Sequence, residues 1–215
     1  MFGYRKPADL PNRIPVFPLS GALVFPRGRM PLNIFEPRYL NMIDDALSGD
    51  RMIGMIQPAS ETEDRQKPGL AKVGTAARIV SFSETDDGRY LIVLAGICRF
   101  DLSTELALTS PYRQVEARYD RFAGDLDAPP TLEAGVRDRL VDALEDYLER
   151  NSFQADITAA EDAPMEELIN AVCLACPFTL AEKQALLEAA TLAERGETLI
   201  QLLAWGDSPQ GDWLQ

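Results

Sequence analysis

Apolar positions follow two rhythms along the chain. Up to Phe122 they form short runs or alternate with polar residues, as in strands; beyond Thr131 they recur every three or four residues, as in helices with one buried face. Arg13 to Leu19 reads as an edge strand, because Pro15 and Pro18 cannot donate to a ladder. Met30 to Phe35 is a second strand. Pro37 at a first helical position, Gly49 just past the end, and Tyr39, Leu40, Ile43, Ala46 and Leu47 on one face predict a helix inserted among the strands. Met52 to Gln57 is a strand, and residues 58–69 form an exposed polar loop bounded by prolines. Val73 to Phe82 and Arg89 to Ala95 make a hairpin that turns at Asp86-Asp87-Gly88. Alternation continues through Cys98, Phe100 and Leu102. It returns in Val115, Ala117 and Tyr119, whose partners Gln114, Glu116, Arg118 and Asp120 give that strand one wet face.

Gly124 to Thr131 is a connector, and helices follow. Leu132, Val136, Leu140, Leu144 and Leu148 recur every four residues. A second helix begins near Pro164 and stops before Pro177. A third opens on the capping box Thr179-x-x-Glu182 and runs to Arg195 and Gly196, after which Leu199, Leu202 and Leu203 carry a last stripe. Strands first and helices afterwards predict an α+β chain, with a β subdomain over residues 12–122, a helical bundle over 131–204, and tails at 1–11 and 206–215.

Composition narrows the chemistry. The 215 residues carry 34 acidic and 21 basic side chains and no histidine, a formal charge of −13. Without imidazole, Ser-His-Asp and Cys-His nucleophiles and His proton shuttles are excluded. The charge is unevenly placed: residues 1–121 hold 16 basic and 15 acidic side chains, residues 122–215 hold 5 and 19. Such a balance argues against nucleic acid as the partner, since phosphate contacts need cations. The longest apolar run, Tyr90 to Cys98, is too short to span a membrane, the proline-rich start lacks a secretory core, and three cysteines make no disulfide framework. A cytoplasmic protein is expected.

No motif supplies catalysis. None of Lys6, Lys67, Lys72 and Lys183 follows a glycine, so there is no Walker A loop. Adjacent acids such as Asp44-Asp45 and Asp86-Asp87 read as solvated faces and turns. Cys173-Leu-Ala-Cys176 lies at a helix end in the acidic half, where a thiolate is disfavoured, and reads as buried structure. No metal and no cofactor is therefore expected. Glu36, Arg38 and Arg99 stand among apolar neighbours, either as an internal ion pair tying the inserted helix to the sheet or as a polar anchor in a ligand groove. Phe17, Phe25 and Phe35 are proline-flanked aromatics that suit either core or a peptide-binding surface. Trp213-Leu214 is either a docking motif or a frayed end.

The blocks Ile14-Pro-Val-Phe-Pro-Leu19, Leu23-Val-Phe-Pro26 and Met30-Pro-Leu-Asn-Ile-Phe-Glu-Pro-Arg-Tyr39, followed by Val73-Gly-Thr-Ala-Ala-Arg-Ile79, Gly96-x-x-Arg99-Phe100 and Glu182-Lys-Gln-Ala-Leu-Leu-Glu188, resemble the Lon protease N-terminal domain. The resemblance implies a PUA-like antiparallel β barrel with an inserted helix, followed by a helical bundle. It also implies a non-enzymatic module that engages unfolded or extended polypeptide, with clients or a protease or chaperone as partners; a homo-oligomer stays open. The ATPase and Ser-Lys peptidase modules of that family have no counterpart in these residues. Residues matching the motifs, Phe25, Phe35, Glu36, Arg38, Tyr39 and Arg99, are the substrate-binding candidates, with no catalytic residue. Two alternatives remain: an RNA-binding PUA-like module, and a small-molecule-binding protein using a cleft between the two parts.

Overall fold

The computed structural model describes residues 3–60, 68–107, 109–133, 135–154 and 163–205. Most of the expected 58–69 loop and the whole 206–215 tail, with Trp213-Leu214, lie outside the described residues. The chain divides into two compact units, Met1–Ala128 and Pro129–Gln215. The first contains β1 (Arg13–Pro18), β2 (Arg29–Ile34), α1 (Pro37–Ser48), β3 (Met52–Pro58), β4 (Leu70–Glu84), β5 (Tyr90–Glu105) and β6 (Gln114–Arg118). The second contains α2 (Val136–Arg150), α3 (Met165–Ala175), α4 (Leu180–Glu188) and α5 (Leu192–Trp205). The α+β order read from the sequence is the order found.

The six strands form one sheet in the order β2-β5-β4-β3-β1-β6, and β6 pairs again with β5. Hydrogen-bonded neighbours therefore run in a circuit through β5, β4, β3, β1 and β6. The 16 residues of β5 make this possible: Tyr90 to Ala95 pair with β2, whereas Asp101 to Glu105 pair with β6. On β6, Val115 and Ala117 are buried while Glu116 and Arg118 face solvent, as alternation requires.

Two expectations about β1 are corrected. It is not an edge strand, since β3 and β6 flank it. Its prolines are tolerated because its halves use different neighbours: Arg13 to Pro15 register with β6, and Val16 to Pro18 with β3. Nor is the sheet wholly antiparallel, because β1 and β3 run parallel with Val16 opposite Gly54. The intervening β2 and α1 supply the long crossover that a parallel pair needs. The segment expected as an N-terminal tail also packs. Leu10 is buried, and the hydroxyl of buried Tyr119 donates to the Pro11 carbonyl at 2.8 Å, the kind of partner an interior phenol requires.

Helix α1 carries Tyr39, Met42, Ile43 and Ala46 on its buried face, packed with Ile34, Ile53, Ile79, Ile92 and Leu94 of the sheet. The edge of the Tyr39 ring meets Phe17 of β1 at 4.3 Å between centroids.

In the second unit, the helix expected from Thr179 to Gly196 is two helices. The sequence Thr-Leu-Ala-Glu occurs twice, at 179–182 and 191–194, and each copy opens a helix. Glu182 N–H donates to Thr179 Oγ1 at 3.3 Å, and Thr179 N–H to Glu182 Oε2 at 2.7 Å. Glu194 N–H likewise donates to Thr191 Oγ1 at 3.1 Å, while the Glu194 carboxylate accepts from Ala190 N–H at 2.9 Å. Arg195 and Gly196, which looked like a helix end, lie buried within α5. A Cβ on Gly196 would come 3.3 Å from Ile169 Cδ1, so the missing side chain is what lets α3 approach. Arg195 ties three helices there, donating to Asn170 Oδ1 at 2.9 Å and to the Leu186 carbonyl at 3.2 Å. From α2, Arg150 donates to the terminal carbonyls of Leu203 and Ala204 on α5, where a cation is favoured.

The second capping box is worth as much as the first. Thr191→Ala and Thr179→Ala should each lower the unfolding free energy of the chain by about 1 kcal/mol in urea titrations. A silent Thr191→Ala variant would show that the break at 189–191 does not depend on the cap.

Candidate functional site

The six sequence candidates separate into a buried group and an exposed group. Arg99, on β5, is buried, and its carboxylate partner is Asp125 rather than Glu36. Asp125 lies on the 3₁₀ segment Asp120–Leu126, which folds back onto β5. Its Oδ2 accepts from Arg99 N–H at 3.0 Å and from Nε at 2.9 Å, while Oδ1 accepts from Nη2 at 2.8 Å. The side chains are 3% and 9% exposed, and the guanidinium carbon sits 4.3 Å from the centre of the Phe122 ring. The internal pair expected from the sequence therefore exists with a different acid, and it joins β5 to the segment after β6 instead of to α1.

Phe25 belongs to the same construction. Arg27 N–H donates to Gly96 O at 2.8 Å, Gly96 N–H donates to Gly28 O at 2.9 Å, and Arg27 Nη1 donates to the carbonyls of Asp125 and Asp127 at 2.5 and 3.2 Å. These bonds hold Arg27 in the left-handed region at φ 65°. A Cβ on Gly96 would run into the Phe25 carbonyl oxygen and lie 2.8 Å from Val24 Cγ1, so only glycine admits this loop. Phe25 is 1% exposed. Phe25 and Arg99 are thus both buried within this construction.

Phe35, Glu36 and Arg38 are exposed at the junction of β2 and α1. Phe35 is 63% exposed. Glu36 and Arg38 pair with each other across two residues at 2.8 Å with both side chains over 40% exposed, a contact worth little in water. Arg38 also covers the Tyr39 ring at 4.6 Å. Beside this junction lies a small pocket of about 80 Å³ that the sequence reading missed. Pro18, Pro68 and Pro111 wall it, and Arg38, Tyr39, Tyr112 and Arg113 complete it. Tyr112 donates to Asp45 Oδ2 at 2.6 Å, tying the Pro111-Tyr112-Arg113 turn to α1. Burial, then Asp45, push its phenol up to about 12. Arg113 grips Glu105 with Nε at 2.8 Å and Nη2 at 2.7 Å, and donates from Nη1 to the Pro68 carbonyl at 2.7 Å. The available signal was compositional: Pro37-Arg38-Tyr39 and Pro111-Tyr112-Arg113 carry the same three residue types. Asp125 was hidden because it sits in a segment that reads as a connector.

Cys98, Cys173 and Cys176 are buried free thiols. Burial is the largest influence on each, holding them at about 12, 12 and 11, the opposite of a reactive thiolate. Among the described residues no three Cys, Asp or Glu side chains cluster as a metal site requires, and no helix is long and apolar enough to cross a membrane.

An α+β chain with a self-returning sheet, helices grouped after it and a small donor-lined pocket has the makeup of a binding domain. Residues 13–204 match the ATP-dependent protease La (LON) substrate-binding domain, and the chain belongs to that family. It is 27% identical over 198 residues to Lon protease 2 of Myxococcus xanthus, covering 91% of this chain and 24% of that protein. It is 29% identical to Lon protease 2 of Thermus thermophilus, covering 90% and 24%. The chain therefore spans about a quarter of the length of these relatives. Among solved structures it is similar in fold to a Lon N-terminal domain protein from Xanthomonas campestris, with TM-score 0.63, 22% identity, and coverage of 90% of this chain and 98% of that one. The N-terminal domain of Mycobacterium avium complex Lon protease gives TM-score 0.62, 18% identity, and coverage of 91% and 100%. The 215 residues hold this domain and neither an ATPase nor a peptidase module.

The buried pair makes a firm prediction. Asp125→Ala leaves the Arg99 guanidinium buried without its carboxylate and should cost about 3 to 5 kcal/mol in urea-induced unfolding. Phe35→Ala should leave the midpoint unchanged within about 0.5 kcal/mol. Equal stability of the two variants would overturn the division into buried and exposed groups. A thiol reagent at pH 8 should find almost no reactive cysteine in the folded chain and three in guanidinium chloride; prompt native reaction would contradict the burial.

Proposed function

We propose that this chain is a non-catalytic polypeptide-binding module, built on a PUA-like barrel, that engages unfolded or extended segments in the cytoplasm as a protein quality-control adaptor. The match of residues 13–204 to a substrate-binding domain carries this reading. The absence of histidine from the sequence supports it, and so does the raised position of all three thiols, because both remove common nucleophilic chemistry. Exposed Phe35, adjacent in sequence to the Glu36–Arg38 pair, is an apolar contact point whose side chain the core does not require.

Fluorescence anisotropy with a labelled model protein, kept unfolded by reduction and neutral carbamidomethylation, tests the proposal. Saturable binding that unlabelled unfolded protein competes and the folded form does not is the expected result. Phe35→Ala should weaken it about three- to tenfold with no change in melting temperature. No anisotropy change up to about 100 μM chain would overturn the function.

A further inference from the structure

The pocket beside α1 is rich in donors. Its lining among the described residues includes two arginines and two tyrosines but no Asp or Glu. The acids that balance it stand behind the lining: Glu36 holds Arg38, Asp45 holds Tyr112, and Glu105 holds Arg113. Arg113 is only 13% exposed at its side chain and is fixed by three bonds, so its charge is preorganised. Arg38 uses Nε and Nη2 on one oxygen, Oε2, of exposed Glu36, a pair that exchanges at little cost.

Tyr39 is the telling residue. It is 6% exposed as a residue, and it lines the same pocket as Arg38 and Arg113. The Arg38 guanidinium carbon lies 4.6 Å from the centre of the Tyr39 ring. Three donor side chains, Arg38, Tyr39 and Arg113, thus line one pocket beside three prolines.

We propose that this pocket binds a polypeptide carboxylate set beside apolar groups, at the chain end or on an acidic side chain, with Tyr39 Oη–H and the Arg38 and Arg113 guanidinium groups donating to its oxygens while Pro18, Pro68 and Pro111 pack the apolar part. The ligand's carboxylate replaces Glu36 at Arg38 and accepts from the Tyr39 hydroxyl. The polypeptide source rests on the function proposed above; the carboxylate chemistry does not.

The experiment separates the two. N-acetyl-leucine, titrated into the full chain, should shift the amide resonances of Arg38, Tyr39, Tyr112 and Arg113, whereas N-acetyl-leucinamide should not. Tyr39→Phe, which removes one oxygen and keeps the ring against Phe17, should weaken N-acetyl-leucine about three- to tenfold with an unchanged melting temperature. No shift with either compound, equal shifts with both, or an indifferent Tyr39→Phe variant would overturn the proposal. One apolar peptide is then compared as free acid, as C-terminal amide, and as amide with an internal glutamate. Preference for the free acid assigns the chain end, preference for the glutamate peptide assigns an acidic side chain, and equal binding of all three overturns the site. If unfolded protein binds while N-acetyl-leucine is silent, the pocket fails and the function stands; the reverse result fails the function and keeps the pocket.

Discussion

A guanidinium and a carboxylate that have both left water govern the first unit. Neither Arg99 nor Asp125 tolerates burial alone, since an unpaired charge in the interior costs several kcal/mol after all relaxation. Their bidentate contact, with Arg99's own amide as a third donor, therefore fixes the position of Asp120–Leu126 on β5. Once that segment is fixed, the Asp125 and Asp127 carbonyls are available to Arg27, and the loop carrying Phe25 closes over Gly96. Apolar replacements of similar volume often equal such a pair in stability. What they cannot supply is a reason for this segment to take this one position.

The second unit also buries an arginine. Arg195 is buried where α3, α4 and α5 meet, and an amide oxygen and a backbone carbonyl receive its N–H groups. Both units thus use an arginine as a multidentate brace, and in both the planar, fixed fork of donors does what a lysine's point charge would not.

The elements were legible because local rules set them. Pro37 and Gly49 bracket α1, Asp86-Asp87-Gly88 turns the hairpin, and the polar partners of Val115 and Ala117 face water on β6. What was misread depends on partners distant in sequence. Pro15 and Pro18 suggested an edge, and nothing local reveals that each half of β1 has its own neighbour. Arg195-Gly196 imitates a helix end, and only the packing of Ile169 against Gly196 shows why glycine is there. Arg99 was singled out because a charge among apolar residues needs a partner, but that partner lies 26 residues on in a segment with no periodicity. The second Thr-Leu-Ala-Glu box was visible and would have split the third helix correctly.

Pocket and net charge act in opposite directions, because a chain of −13 repels anions at long range. Screening limits that effect: at physiological salt the Debye length is about 8 Å, so most of the acidic surface contributes weakly at a given site. The local balance at the pocket is near neutral, with Arg38, Arg113, Glu36, Glu105 and Asp45 in close array, and what distinguishes it is the direction of its donors. Steering by the whole molecule and recognition by the pocket are then separate quantities. Under the proposed reading the first slows the arrival of acidic chains and the second holds a carboxylate once it has arrived, so selectivity among polypeptides would fall on the dissociation rate and favour segments whose single carboxylate is set in apolar surroundings.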